Sequence, residues 1–134
     1  MKKVYIVEEN GIMDNPVGTV GDLLSEIFPK LDVFESESDK PNIIEECIEH
    51  EPDLAIIDFR MPRQNGLKIL HLLKRNLPRV KTIVYSGLSH RATVDVAIQE
   101  GADGFVNKKA GVKELAKAVN AVSTGGTYFS PLCV

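Results

Sequence analysis

Leu54-Ala55-Ile56-Ile57 is a continuous apolar run, and Asp58 follows it directly. Short continuous runs of this kind are expected for parallel strands that helices cover on both faces. Four further runs share this apolar, β-branched character, although the second is weak: Val4-Tyr5-Ile6-Val7, Asp32-Val33-Phe34-Glu35, Thr82-Ile83-Val84-Tyr85 and Gly104-Phe105-Val106. The sequence therefore predicts five strands spread along the chain.

Four of the intervening segments carry apolar residues at helical spacing. The residues expected to share a helix face are Ile44, Cys47 and Ile48; Leu67, Leu70, Leu73 and Leu77; Val94, Ala97 and Ile98; and Val112, Leu115, Ala116, Val119 and Val122. Pro41 is expected in the first turn of the helix that holds Cys47. Gly101 and Gly125-Gly126 are expected to end the last two helices.

The segment after the first run is less regular. Residues 11–21 include three glycines and one proline, which are poor residues for a helix interior. We therefore expect a long loop or a broken helix there. Only the stretch from Asp22 to Phe28 favours a helix, with Asp22 as a possible N-cap.

Alternating strands and helices predict an α/β fold, with one doubly wound five-stranded parallel sheet and right-handed crossovers. A length of 134 residues suits a single domain that buries its own core. Hydrophobic residues at 43% and charged residues at 26% are typical of a soluble globular protein.

Composition also argues against several classes of protein. A net charge of −3 does not favour an extended basic surface for nucleic acid. No apolar run approaches the roughly 20 residues of a membrane span, and the first residues turn acidic too early for a secretory signal. Cys47 and Cys133 form neither a disulfide framework nor a metal cluster. We expect one cytoplasmic domain that does not enter a membrane.

Polar and charged residues stand at the ends of four predicted strands. They are Glu8-Glu9 after the first, Asp58 after the third, Ser86-Gly87 after the fourth and Lys108-Lys109 after the fifth. In open parallel sheets, ligands bind beyond the carboxyl ends of the strands. The sequence therefore predicts that these side chains converge at one edge of the sheet.

The residue types in this group suit phosphoryl chemistry. Neighbouring carboxylates repel one another, and a bound Mg²⁺ ion relieves that repulsion. With the metal present, an Asp carboxylate can attack a phosphoryl group and form an aspartyl-phosphate. Asp58, Ser86 and Lys108 have the chemistry of a nucleophile, an oxygen donor and a counter-charge. Taken singly, each is explained as well or better as a solvated or turn residue, so the prediction depends on their joint placement.

These residues resemble the receiver domain of two-component response regulators. The most specific match is the stretch Asp58-Phe59-Arg60-Met61-Pro62-Arg63-Gln64-Asn65-Gly66, which is similar to the phospho-acceptor loop of that family. Ser86 matches the family's Ser/Thr position and Lys108 matches the lysine that ends the last strand. Phe105 matches the aromatic residue of the family's conformational switch. The match covers nearly the whole chain and is poorest over residues 11–21.

The resemblance implies a flavodoxin-like, CheY-like sheet of order 2-1-3-4-5, with the receiver domain over residues 1–124. It implies that Asp58 accepts a phosphoryl group from a sensor histidine kinase, and that Ser86 and Lys108 hold this group. Such a domain is a signalling switch rather than an enzyme, and its output face is the fourth helix, fifth strand and fifth helix. The implied ligands of Mg²⁺ are Glu8, Glu9, Asp58 and the backbone carbonyl of Arg60.

Residues 119–131 are similar to the linker that follows receivers in LuxR-type DNA-binding regulators. We therefore expect residues 125–134 to be a C-terminal tail that begins a linker to a helix-turn-helix domain, with DNA contacted only through that domain. A frayed tail is the simpler alternative. The resemblance is also compatible with a homodimer through the last helix or through the fourth and fifth helices.

Two positions depart from the family pattern. Glu9 stands where the family has Asp, and its side chain is one methylene longer. Because Mg²⁺ demands near-ideal octahedral geometry, this extra length is expected to affect the affinity for the metal. Lys109 replaces a proline that often follows the family's lysine. These departures leave open an alternative function, a degenerate receiver that acts as a protein-interaction module without phosphorylation.

Two other functions fit less well. A Mg²⁺-dependent phosphohydrolase with an aspartyl nucleophile usually needs a second Asp two residues later, where this chain has Arg60. A nucleotide-binding loop is disfavoured because Gly18-Thr19-Val20-Gly21 lacks the full glycine spacing and does not directly follow a strand.

Overall fold

A parallel sheet of six strands lies at the centre of the computed structural model, which describes residues 3–8, 20–37, 42–59, 64–87 and 91–130. For residues 8, 37, 58, 59 and 64–66 it describes the backbone alone. The strands are β1 (Lys3–Glu8), β2 (Asp32–Glu37), β3 (Leu54–Phe59), β4 (Lys81–Ser86), β5 (Gly104–Asn107) and β6 (Tyr128–Phe129). The helices are α1 (Val20–Ile27), α2 (Ile43–His50), α3 (Gln64–Asn76), α4 (Arg91–Gln99) and α5 (Val112–Ser123), with a 3₁₀ turn at Lys108–Ala110.

The order of the strands is β2-β1-β3-β4-β5-β6, and all five neighbouring pairs are parallel. The predicted doubly wound fold and its order 2-1-3-4-5 are confirmed. β6 is an addition, because the sequence predicted five strands and placed residues 128 and 129 in a tail. These two residues pair with Gly104 and Phe105 of β5.

Apolar side chains fill both faces of the sheet, as the continuous apolar runs predict. One cluster joins strand residues such as Ile57 and Phe105 to Cys47 of α2, Leu73 of α3 and Ala97 of α4. The other joins the opposite faces of the same strands to α1 and α5; its helical members are Leu24, Leu115, Ala118, Val119 and Val122. Each βα unit therefore buries one helix against one face of the sheet.

One sequence-based expectation about helices was wrong, because α1 begins at Val20, so Asp22 lies inside its first turn and is not its N-cap. Ile48 and Ile98 share the helical spacing of buried neighbours, but they are 37% and 46% exposed. Short helices pack through a narrow stripe: α2 buries Ile43 and Cys47, and α4 buries Val94 and Ala97. In each helix the neighbouring isoleucine lies outside that stripe.

The helix ends agree better with the sequence. α3 ends at Asn76, one residue before the expected Leu77, because Pro78 disfavours helical backbone at the residue before it. Gly101 ends α4 with φ 96°. At the end of α5, Gly125 has φ 91° and its N–H bonds to the carbonyl of Val122. This glycine turn directs the chain back along β5. Pro41 lies outside the described residues.

Cys47 is fully buried in α2, and this burial, together with the nearby Glu46, raises the pKa of its thiol to about 12. Because the thiolate is the reactive form, we expect Cys47 to resist alkylation in the folded protein near neutral pH. Intact-mass measurement of a Cys133→Ser variant, with and without denaturant, checks this. Alkylation of the folded variant as fast as the unfolded one would show that α2 does not pack as described.

Candidate functional site

Four strand ends meet at one edge of the sheet. Glu8, the last residue of β1, is in register with Asp58 of β3. Asp58 is in register with Tyr85 of β4, and the next pair along is Phe59 with Ser86. Ser86 is in turn in register with Asn107, the last residue of β5. The backbones of the predicted site residues therefore lie in adjacent strands at the same level of the sheet.

The ends of β4 and β5 determine where Ser86 and Lys108 lie. Ser86 is fully buried, and it is the final residue of a strand whose preceding residues are nearly all buried. Lys108 follows β5 directly, and its Nζ lies 5.8 Å from the centre of the Tyr85 ring. Tyr85 is the register partner of Asp58, so the ammonium group of Lys108 lies over the residue paired with the predicted phospho-acceptor. A cation over an aromatic face at this distance is attracted by the ring.

The turn that carries Lys108 depends on Asn107. The side-chain carbonyl of Asn107 accepts a hydrogen bond from the backbone N–H of Lys109 at 2.8 Å. The N–H of Gly111, which has φ 84°, then bonds to the carbonyl of Lys108. A proline at position 109 has no N–H, so the lysine found here allows a cap that the family's proline would exclude. Sequence reasoning missed Asn107, although asparagine before a helical turn is a known capping signal.

Phe105 is fully buried in the middle of β5, on the side of the sheet that α2, α3 and α4 cover. It is in register with Val84, which lies two residues before Ser86 in the same strand. Since strand residues two apart point to the same face, Ser86 and Phe105 lie on one side of the sheet in adjacent strands. The predicted switch residue therefore lies beside the predicted phosphoryl-binding hydroxyl.

The predicted metal site lies only partly within the described residues. Of the four predicted ligands, Glu9 and Arg60 lie outside them, and Glu8 and Asp58 are described by backbone alone. The remaining described side chains hold no group of three or more His, Cys, Asp and Glu residues suited to a metal. Two carboxylate residues in register nevertheless supply the hard oxygen donors that Mg²⁺ prefers.

Comparison with known proteins identifies the class of protein. Residues 4–120 match the family described as the response regulator receiver domain. This chain belongs to that family, which is a family of signalling domains. The identification made from the sequence is therefore confirmed.

Two curated relatives of this chain are named as regulatory proteins. The chain is 30% identical over 131 residues to the transcriptional regulatory protein LnrK of Bacillus subtilis, covering 98% of this chain and 58% of that protein. It is 30% identical over 120 residues to the nitrate/nitrite response regulator protein NarL of Escherichia coli K12, covering 89% of this chain and 56% of that protein. The chain thus spans somewhat more than half the length of these two relatives.

Solved structures agree on the fold. A LuxR-family two-component response regulator from Aurantimonas sp. SI85-9A1 superposes with a TM-score of 0.80 at 22% identity, covering 98% of this chain and 91% of that one. The isolated receiver domain of RcsB from Salmonella enterica serovar Typhimurium, with the phosphomimetic BeF₃⁻, gives 0.79 at 20% identity and covers 98% and 95%. Within the described ranges, no helix has the length and apolarity needed to cross a membrane.

Proposed function

We propose that this chain is the phosphoryl-accepting receiver of a two-component response regulator, with Asp58 as the phospho-acceptor. The register that sets Glu8, Asp58 and Ser86 in adjacent strands at one sheet edge is the observation that carries the proposal. The Lys108 ammonium lies over the ring of Tyr85, the register partner of Asp58, and this supports its proposed role as the counter-charge. A carboxylate, a hydroxyl and an ammonium at one edge are the groups that phosphoryl transfer to a protein needs.

In the proposed reaction, a carboxylate oxygen of Asp58 forms a bond to phosphorus. The bond from phosphorus to the imidazole nitrogen of a kinase phosphohistidine breaks, and that nitrogen keeps the electron pair. Ser86 donates a hydrogen bond to a phosphoryl oxygen, and Lys108 balances the negative charge that the phosphoryl group brings.

Glu8, Glu9, Asp58 and the backbone carbonyl of Arg60 would hold Mg²⁺, which receiver domains generally bind. When bound, the ion supplies positive charge to the phosphoryl oxygens and relieves repulsion between the carboxylates. Glu8 and Asp58 fit this role because their backbones are register neighbours and both offer oxygen ligands.

The proposed output is transcriptional and is delivered in the cytoplasm. Phosphorylation changes the face formed by α4, β5 and α5, and that change controls a DNA-binding domain that follows residues 125–134 in the whole protein. The name of the relative LnrK, a transcriptional regulatory protein, supports this output. A homodimer of receivers is compatible with it.

Amide NMR spectra of the wild type, titrated with beryllofluoride in excess Mg²⁺, test the proposal. We expect the amide signals of residues 58, 86 and 105 to shift together, and Asp58→Asn to remove the response. Asp32→Asn is the matched control, because Asp32 is exposed and starts β2 at the opposite end of the sheet. A wild type that shows no response would contradict phosphoryl acceptance.

Glu9 favours one other function, a receiver that binds its partner without phosphorylation. This alternative predicts that Asp58→Asn leaves partner binding unchanged and that beryllofluoride has no effect on it. Under the leading proposal, beryllofluoride changes the partner affinity of the wild type and does not change that of Asp58→Asn. Measuring partner affinity for both proteins, with and without beryllofluoride, separates the two functions.

A further inference from the structure

The segment of residues 127–130, which contains β6, is docked along β5. The N–H of Tyr128 donates to the carbonyl of Asp103 at 3.0 Å, and the N–H of Ser130 donates to the carbonyl of Phe105 at 2.9 Å. Phe129 is in register with Phe105 itself. β6 is therefore bonded to the backbone of the predicted switch residue, and it covers the side of β5 that faces away from β4.

Side chains of the segment pack on both faces of the sheet. Phe129 is partly buried against the cluster that contains Phe105. Tyr128 packs against the opposite cluster, and its hydroxyl is hydrogen-bonded to a carboxylate oxygen of Glu114 in α5. Ser130 is fully buried. Two faces of contact and two backbone hydrogen bonds distinguish this segment from a frayed tail.

Gly104 is the position on β5 that lets β6 approach. A Cβ atom there would lie 3.0 Å from the backbone oxygen of Tyr128 and 3.2 Å from Cγ1 of Ile83. Both contacts are tighter than carbon side chains normally make, so a side chain at this position would push β6 outward. Glycine at position 104 therefore permits the docking.

We propose that docking of β6 on β5 is coupled to the phosphoryl site, so that each stabilises the other. This inference rests on the proposed function. If Ser86 moves toward a phosphoryl group on Asp58, it leaves space on the face of the sheet that holds Phe105. An unfilled space in a packed core is costly, so phosphoryl binding favours a Phe105 that stays buried. A docked β6 also favours a buried Phe105, because it covers the edge of β5 that faces away from β4.

The coupling is reciprocal by thermodynamic necessity. A phosphoryl group at Asp58 tightens β6, and a docked β6 raises the affinity of the site for a phosphoryl group. The chain beyond Ser130 continues directly from β6. Phosphorylation would therefore fix the point from which any following domain departs, which gives a physical route from Asp58 to the linker.

Amide hydrogen exchange measured with and without beryllofluoride, in excess Mg²⁺, tests the coupling. We expect the N–H groups of Tyr128 and Ser130 to exchange at least about fivefold more slowly in the complex, the lower end of typical allosteric coupling. The amide shift of Ser86 reports independently whether beryllofluoride binds. If Ser86 shifts and the two tail amides exchange as before, the coupling is wrong and the proposed function stands. If Ser86 does not shift, both fail.

Variants test the reverse direction. Gly104→Ala and Phe129→Ala each weaken docking, so we expect each to reduce beryllofluoride affinity by about fivefold or more. Thr127→Ala, which changes an exposed residue of the same segment, is the matched control and is expected to bind like the wild type. Circular dichroism shows whether each variant is folded. Truncating the partly buried Phe129 is expected to disturb the fold less than adding a methyl group at Gly104. Wild-type affinity in a folded Phe129→Ala would overturn the proposal.

Docking is also expected to depend on pH through Tyr128. The hydrogen bond to Glu114, followed by burial, raises the pKa of the Tyr128 hydroxyl above its ordinary value of about 10. Because the docked segment favours the neutral hydroxyl, its contribution is complete below pH 10 and is lost as pH rises through the raised pKa. NMR signals of the Tyr128 ring and the exchange of Ser130 measure this loss, and Tyr128→Phe is expected to lack it. Loss of docking at the same pH in Tyr128→Phe would contradict the assignment.

Discussion

Lys108→Ala is expected to slow formation of the phosphoryl adduct on Asp58 by about 10²-fold or more. Removing one group that stabilises developing charge typically costs this much in an active site. The Nζ of Lys108 lies over Tyr85, the register partner of Asp58, so the proposal assigns its charge to the phosphoryl group on the proposed acceptor. The rate of adduct formation with a small-molecule phosphodonor and Mg²⁺, followed by intact mass, measures the effect.

Lys109→Ala is the matched control for this prediction. Lys109 carries the same charge one residue later, but its side chain is exposed and only its backbone N–H is used, by the Asn107 cap. We expect the variant to react at close to the wild-type rate. An equal decrease in the rate of adduct formation in the two variants would mean that positive charge near the site matters in general, and not the position of Lys108.

Ile56→Ala is expected to lower the free energy of unfolding by about 2–5 kcal/mol, which is usual when a buried isoleucine or leucine is truncated. Ile56 is fully buried in β3, in register with Ile6 of β1 and Ile83 of β4. Its removal leaves a cavity between the sheet and the helices α1 and α5. Urea unfolding monitored by circular dichroism gives the change, provided that the slope against urea stays constant.

Ile98→Ala makes the same substitution at a position where the side chain is much more exposed. Ile98 is 46% exposed on α4, and alanine has the higher helix propensity, so we expect a change below about 1 kcal/mol. A decrease in the free energy of unfolding as large as that of Ile56→Ala would mean that α4 buries the Ile98 face.

Sequence reasoning predicted the sheet well because strands buried on both faces consist almost entirely of apolar residues. The run from Leu54 to Ile57 is fully buried, as its composition implies. Chain order and the right-handed crossover rule then restrict the arrangement of five parallel strands. The strand ends, and with them the residues of the candidate site, follow from the same reasoning.

Features that depend on tertiary contacts were missed. β6 has two residues, too few for a periodic signal, and it forms because Gly104 leaves room and the Gly125 turn directs the chain there. The start of α1 was misplaced because Gly21 is a poor helix residue in isolation, yet it is buried where α1 meets β2. The exposure of Ile98 depends on how α4 is rotated against the sheet, which spacing alone does not determine.

The predicted roles of the site residues come from chemistry and family resemblance, and the structure contributes their relative placement. Register fixes the backbone neighbours of Asp58, and the Lys108–Tyr85 contact places one ammonium group beside the ring of its register partner. Under the proposed function, Glu9 is the departure from the family pattern that bears most directly on Mg²⁺ binding, because its extra methylene changes the reach of a proposed metal ligand.

Intact-mass measurement of the wild type, incubated with a small-molecule phosphodonor and Mg²⁺, tests the central claim most directly. The account predicts one labile adduct with the mass of a phosphoryl group, which Asp58→Asn lacks and Asp32→Asn retains. An unmodified wild type, or an adduct of equal yield in Asp58→Asn, would contradict it.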